Sequence, residues 1–370
     1  AFSNGKGTRR LFLQEAQVTY QAPKRRAGLR LHLNENTAGC SPKVIEALQS
    51  LTPSDIASYP DYDEIAKHVE AYFNVPAGWV QLVNGLDEGL HVVAASAKKA
   101  SGAFSNGKGT RRLLMGSVYP EPAFEMYRVC AEVVGLPVTP IPPKADFAFP
   151  LDELLEAAPK AGVVYLTDPN NPTGLAIPAG AIEQIAAAAP DAIVLVDEAY
   201  ADFSGRTIIG PALERHRNLV VGRTFAKGHG LAALRIGALV AHPDTLEPLR
   251  ALLPPFSLNI AAITALGAAL DDQAWVDAYV AQSTDSRARI YAWCDRLGLT
   301  YWRSEANFVL LRIGDRASQV VAQMADRGIF IRDRSSAPGC AGCIRISAGT
   351  VDATQRCLNT LEAILASRHD

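Results

Sequence analysis

Between residues 161 and 241, apolar runs of strand length alternate with polar turns. The runs at 162–166, 192–196, 219–222 and 236–240 hold almost no polar residue, the pattern of strands covered on both faces. Between the first two, Ile182, Ile185, Ala186 and Ala189 recur at helical spacing within 178–189. Strand, helix, strand in this order predicts an α/β fold: a mainly parallel sheet with helices on both faces. Upstream, a strand ends at Val83 and a helix opens at 85, marked by Leu86, Leu90, Val93 and Ala94. Leu29, Leu31 and Leu33 alternate with polar neighbours as a short strand. Ser41 reads as an N-cap, with Pro42 at the first position of a helix reaching Leu48. Residues 113–115 read as a strand, and a helix begins near Met126.

Beyond about residue 250 the texture changes. An Ala-rich helical region runs from 259 past 293, followed by short strands at 308–311, 329–331 and 344–347. The expected division is an arm and part of a small domain over 1–50, a large domain over 51–250, and a small C-terminal α+β domain over 251–370, completed by the N-terminal segment.

Composition changes this picture little. Hydrophobic residues make up 48% and charged ones 20%, ordinary for a globular protein. The net charge of -2 speaks against a nucleic-acid face. No apolar run reaches membrane-span length, and the start lacks the apolar core of a signal peptide. Scattered cysteines fit reduced thiols, so a cytoplasmic enzyme is expected. Cys340 and Cys343 form a CxxC pair without the second pair of a zinc ribbon. They lead into a strand rather than a helix, which disfavours a metal or redox role. Residues 1–11 and 103–113 are the same eleven letters, AFSNGKGTRRL, and read as basic loop. Their GKGT lacks the leading glycine and spacer of a phosphate loop.

The candidate chemistry gathers where predicted strands end, the usual place for ligands in such sheets. Lys227 sits among small residues, with Thr224 before it and Arg235 after it. A desolvated lysine is a nucleophile towards carbonyls, and the hydroxyl and guanidinium grip phosphate. That combination suggests pyridoxal phosphate. Asp197 ends a strand and is suited to pair with the cofactor's ring nitrogen. Asn171 and Tyr200 are placed to bond the ring hydroxyl, Phe124 to stack on the ring, and the amides of Gly85, Leu86 and Asp87 to receive the phosphate. Taken singly, each has a plain alternative: a helix cap for Asp197, a turn residue for Asn171, core for Phe124, an ordinary helix start at Gly85.

The stretches Asn171-Pro-Thr-Gly174, Asp197-Glu-Ala-Tyr200 and 224–235, with Arg345, resemble the fold-type I pyridoxal-phosphate enzymes of the class I/II aminotransferase group. Within it, Leu33-Asn-Glu-Asn36, Tyr59-Pro-Asp61, Gly85-Leu-Asp-Glu-Gly89 and the stretch 328–347 are most similar to the histidinol-phosphate aminotransferases. The resemblance implies a PLP-transferase large domain and amino transfer between histidinol phosphate and glutamate/2-oxoglutarate in histidine biosynthesis. It implies that Lys227 is the Schiff-base lysine and proton carrier, with Asp197 and Tyr200 beside it. Arg345 and Arg332 would hold substrate, with Tyr20 and Asn36 near it, and Tyr59 would reach the cofactor phosphate of the other subunit of a homodimer. Metal, membrane and nucleic acid have no place in this reading. Three positions depart from the family pattern. Gly228 and His229 stand where alanine and an aromatic residue are usual, and Phe124 stands where tyrosine is common. His229 is a second acid/base, a substrate contact or, as we favour, an aromatic replacement in the turn. The alternatives kept open are an aromatic amino acid aminotransferase and a phospho-amino-acid decarboxylase of the same fold. A PLP-binding regulator is disfavoured, since the residues before Leu31 are too few for a DNA-binding region.

Overall fold

The computed structural model describes residues 27–102 and 116–367. Both copies of the eleven-residue repeat, the arm with Tyr20 and the strand expected at 113–115 lie outside these residues.

In chain order the strands are β1 (Leu29–Arg30), β2 (Val80–Val83), β3 (Gly116–Pro120), β4 (Val138–Ile141), β5 (Ala161–Thr167), β6 (Ile193–Asp197) and β7 (Leu219–Thr224). They continue with β8 (Gly237–Ala241), β9 (Thr300–Tyr301), β10 (Phe308–Arg312), β11 (Ile329–Phe330), β12 (Arg332–Asp333) and β13 (Cys343–Ser347). Seven of them form one sheet in the order β2-β8-β7-β6-β5-β3-β4. From β7 to β4 the pairs are parallel, while β8 is antiparallel to both β7 and β2. The fold is therefore α/β with a mainly parallel central sheet, as its patterning predicts.

The central strands obey the period of two, with apolar cover on both faces. Val164 and Leu166 of β5, Val194 and Val196 of β6, and Leu219 and Val221 of β7 enter one core. Their neighbours Val163, Tyr165, Leu195 and Val220 enter the other. This explains why those runs read as unbroken apolar sequence. Each fully buried aliphatic side chain here stabilises the fold by about 1.5–3 kcal/mol.

The smaller sheet has the order β12-β13-β10-β9, and β1 pairs in parallel with β11. The N-terminal segment is thereby tied to the C-terminal elements, as expected. Two features differ from the sequence reading. The helical region after 259 is two helices, Ile260–Leu270 and Gln273–Leu297, because Asp271 caps one and Asp272 opens the next. The first packs in the core of the large sheet together with Val44. Strand β4 went unread because Pro140 interrupts it, which an edge strand tolerates.

Candidate active site

The ends of β5, β6 and β7 are aligned, since Thr167 pairs in register with Asp197, and Asp197 with Gly222. Beyond them lies a cavity of about 540 Å³. Thr167, Asp197 and Thr224 supply its floor, and Leu33–Glu35, Lys227, Arg332, Arg334 and Arg345 are among its walls. Phe124, Asn171, Tyr200, Leu86, Asp87 and Arg235 line it too. Residues more than 300 positions apart in the chain meet here: Asn34 and Ser347 are joined by two hydrogen bonds.

Asp197 is 4% exposed, and burial pushes its carboxyl up to about 6. Two donors oppose that shift: the Tyr127 hydroxyl at 2.7 Å and the Ala199 backbone N–H at 3.0 Å. The second contact is the local bond that a strand-to-helix aspartate makes anyway. The first is not local. Tyr127 is fully buried, stacks on Tyr165 with centroids 4.9 Å apart, and also bonds Thr167 at 2.6 Å. Burial and the neighbouring Asp197 keep its own proton on well above the usual tyrosine range. Tyr127 is thus a fixed neutral donor beneath Asp197. Sequence reasoning missed it; the only signal was its position three residues after Phe124, whose ring it meets edge-on at 5.9 Å.

Lys227 stands in the connection from β7 to its antiparallel neighbour β8. Its Nζ donates to the Leu33 carbonyl at 2.9 Å. Burial, and then the charge of Arg345, bring its ammonium down to about 8. The adjoining glycine is forced by packing, since a Cβ on Gly228 would stand 2.5 Å from the Asp202 carboxylate. His229 turns away from the cavity. It is 2% exposed, meets Phe225 and Tyr72 edge-on, and neither ring nitrogen has a hydrogen-bond partner. It fills an aromatic place, as preferred from sequence.

At one end of the cavity the helix Gly85–Gly102 begins, and its first-turn N–H groups have no acceptor within the helix. Arg235 lies across this end, 3.0 Å from Asp87, close enough that a Cβ on Gly85 would stand 2.5 Å from the guanidinium. Thr224 lines the same cavity. Together they form a cationic and N–H-rich corner suited to phosphate.

The opposite side is also basic. Arg345, 6% exposed, donates to Asn171 and to the His32 carbonyl at 2.8 Å, and lies over the Phe308 ring. Arg30 pairs with Glu35 at 3.2 Å, and Arg334 with Glu125 at 3.0 Å. No ion pair is recorded for Arg332 among the described residues. Tyr200, 5% exposed, accepts a hydrogen bond from Asn34 at 3.0 Å, a second residue that sequence reasoning passed over in favour of its neighbour Asn36.

Some expected site residues stand elsewhere. The Asn36 amide is spent on the Gly228 carbonyl outside the cavity lining, at 2.9 Å. Tyr59 is 80% exposed and stacks on Phe256, itself 52% exposed. Tyr20 lies outside the described residues. Cys340 and Cys343 are buried against Trp302, with no disulfide between them.

The sequence matches the family model described as aminotransferase class I and II over residues 27–361. It is 34% identical to the histidinol-phosphate aminotransferase of Symbiobacterium thermophilum, over 91% of this chain and 90% of that one. It is likewise 34% identical to the enzyme of that name from Halalkalibacterium halodurans, over 93% and 92%. The fold superimposes on histidinol-phosphate aminotransferase from Sinorhizobium meliloti, solved in complex with pyridoxal-5'-phosphate, with a TM-score of 0.82 for a related Erwinia carotovora structure and 0.81 for this one. The Sinorhizobium chain is 24% identical, with 96% of this chain and 98% of that one covered; the Erwinia chain is 26% identical, with 92% and 98% covered. The aligned strand ends, the half-buried lysine beside the buried aspartate and these matches agree: the chain belongs to the class I and II aminotransferases.

Proposed function

We propose that this protein is a pyridoxal-phosphate-dependent transaminase that exchanges the amino group between histidinol phosphate and 2-oxoglutarate, as an enzyme of histidine biosynthesis. The observation that carries it is a half-buried Lys227 and a buried Asp197 in one cavity, with a phosphate-suited corner at one end and guanidiniums at the other. The residues fit the cofactor. Thr224, Arg235 and the N–H groups from Gly85 to Asp87 would hold its phosphate, Asp197 its ring nitrogen, Asn171 and Tyr200 its ring hydroxyl, and Phe124 one ring face.

When bound, the cofactor supplies an aldehyde for the amino group and a ring that draws electrons from the bonds at the adjoining carbon. The protein does the rest. Lys227, whose ammonium sheds its proton near pH 8, would as the free amine accept the proton from the substrate's α-carbon and then carry that same proton onward. Asp197 keeps the ring nitrogen protonated, and Tyr127 and Ala199 hold Asp197 in place. Arg345 grips the α-carboxylate of glutamate, and Arg332 the phosphate of the second substrate. Asn34 orients Tyr200.

The active unit in this reading is a homodimer in which Tyr59 reaches the partner's cofactor phosphate, and the cell compartment is the cytoplasm. Among the described residues no helix is long and apolar enough to cross a membrane. The two-domain division stays part of the proposal, with the helix Ile260–Leu270 assigned to the large domain on its packing. The test is a substrate panel with 2-oxoglutarate as shared acceptor. Histidinol phosphate should be turned over far better than phenylalanine; a preference for phenylalanine would reject this substrate, though not the transaminase.

A further inference from the structure

We infer that Arg334 is a specificity-determining residue that selects a dianionic phosphate ester on the far end of the amino substrate, with Glu125 holding its place until that group arrives. The inference rests on the substrate class proposed above.

Arg332 and Arg334 are two residues apart on an extended segment, so they share a face. Both line the cavity, while Asp333 between them is held by Ser318 and the Ser335 N–H. The segment stays paired past β12, because the Arg334 N–H donates to the Cys343 carbonyl at 3.0 Å. The two guanidiniums are therefore presented on a fixed backbone. The Arg334 side chain is 10% exposed, and its Nε is buried with no acceptor among the described residues. Its partner Glu125, next to the ring-stacking Phe124, is 47% exposed.

That asymmetry sets the exchange. The buried cation cannot go to water, whereas the exposed carboxylate returns to it at little cost. A neutral substrate end gives Arg334 no reason to leave Glu125. A monoanion replaces one single charge by another. A phosphate dianion offers twice the charge and three oxygens to the arginine pair, so it alone displaces Glu125 with gain.

The experiment compares kcat/KM of the holoenzyme for histidinol phosphate and for histidinol, in wild type, Arg334→Gln and Arg334→Lys. The ratio should fall by roughly tenfold or more in Arg334→Gln, the loss expected of one charged hydrogen bond, with the change in KM rather than kcat. Arg334→Lys should recover part of it. Glu125→Gln removes the competitor and leaves the cation, so inorganic phosphate should inhibit that holoenzyme more strongly than wild type, which keeps the test alive if Arg334→Gln does not fold. A wild-type preference that survives Arg334→Gln within twofold, or unchanged phosphate inhibition in Glu125→Gln, overturns the role of Arg334. A wild type indifferent to the phosphate overturns the substrate class itself.

Discussion

Two ionisable groups, Asp197 buried and Lys227 half-buried, give the site its character, and both are held away from their preferred state. Lys227 sits near 8, below its ordinary value of 10.5. A lysine with a depressed folded-state pKa costs the cofactor-free fold stability wherever the unfolded chain would keep the proton. The cost is full below pH 8 and fades as pH rises towards 10.5. Lys227→Met should therefore be inactive yet more stable than the cofactor-free wild type at pH 7, by on the order of 3 kcal/mol, in urea titrations. The two curves should converge by pH 10.5. Asp197 shows the opposite sign: its carboxyl, raised to about 6, makes the cofactor-free fold lose stability as pH climbs from the ordinary carboxyl range through 6. Asp197→Asn removes the charge that would face the ring nitrogen, and kcat should drop by roughly a hundredfold or more. Tyr127→Phe keeps the stack on Tyr165 and deletes one donor to Asp197, so activity should fall by roughly tenfold with the fold intact. Lysine, aspartate and arginine were legible from their positions near strand ends. Tyr127 and Asn34 were not, because each acts only by bonding another site residue across the fold.

At the scale of elements, the central strands were legible because both faces are covered, which writes itself as uninterrupted apolar sequence. Elements whose signal is diluted were lost. Strand β4 carries a proline at the sheet edge, and the helix break at Asp271 and Asp272 hides inside a long Ala-rich run. The turns between elements carry sharper constraints than composition suggests. A Cβ on Gly174 would stand 2.1 Å from the Ser304 Oγ, at a φ of +75° that favours glycine. This turn is also bound across by the Glu305 N–H, which donates to the Gly174 carbonyl at 2.8 Å. Gly174→Ala should cost on the order of 2 kcal/mol, seen as a lower Tm. Gly85→Ala, at a φ of +70°, should carry a similar backbone cost and, by crowding Arg235 at the start of its helix, weaken cofactor binding as well.

At the scale of the whole molecule, the chain ends close the cavity that the middle of the chain opens. Leu33–Glu35 supplies one wall and the β12–β13 region another, while the floor belongs to the large sheet. Neither end has a local pattern that announces this; only the stretches at 33–36 and 328–347, through their resemblance to a known group, pointed there. Because the cofactor would contact walls and floor together, pyridoxal phosphate should raise the Tm of the whole protein in a concentration-dependent way, the behaviour of a ligand bound only by the folded state. The account stands most directly on where that cofactor attaches. Protein incubated with pyridoxal phosphate, reduced with borohydride and digested should carry the pyridoxyl label on Lys227. No label, or a label confined to other lysines, would contradict it.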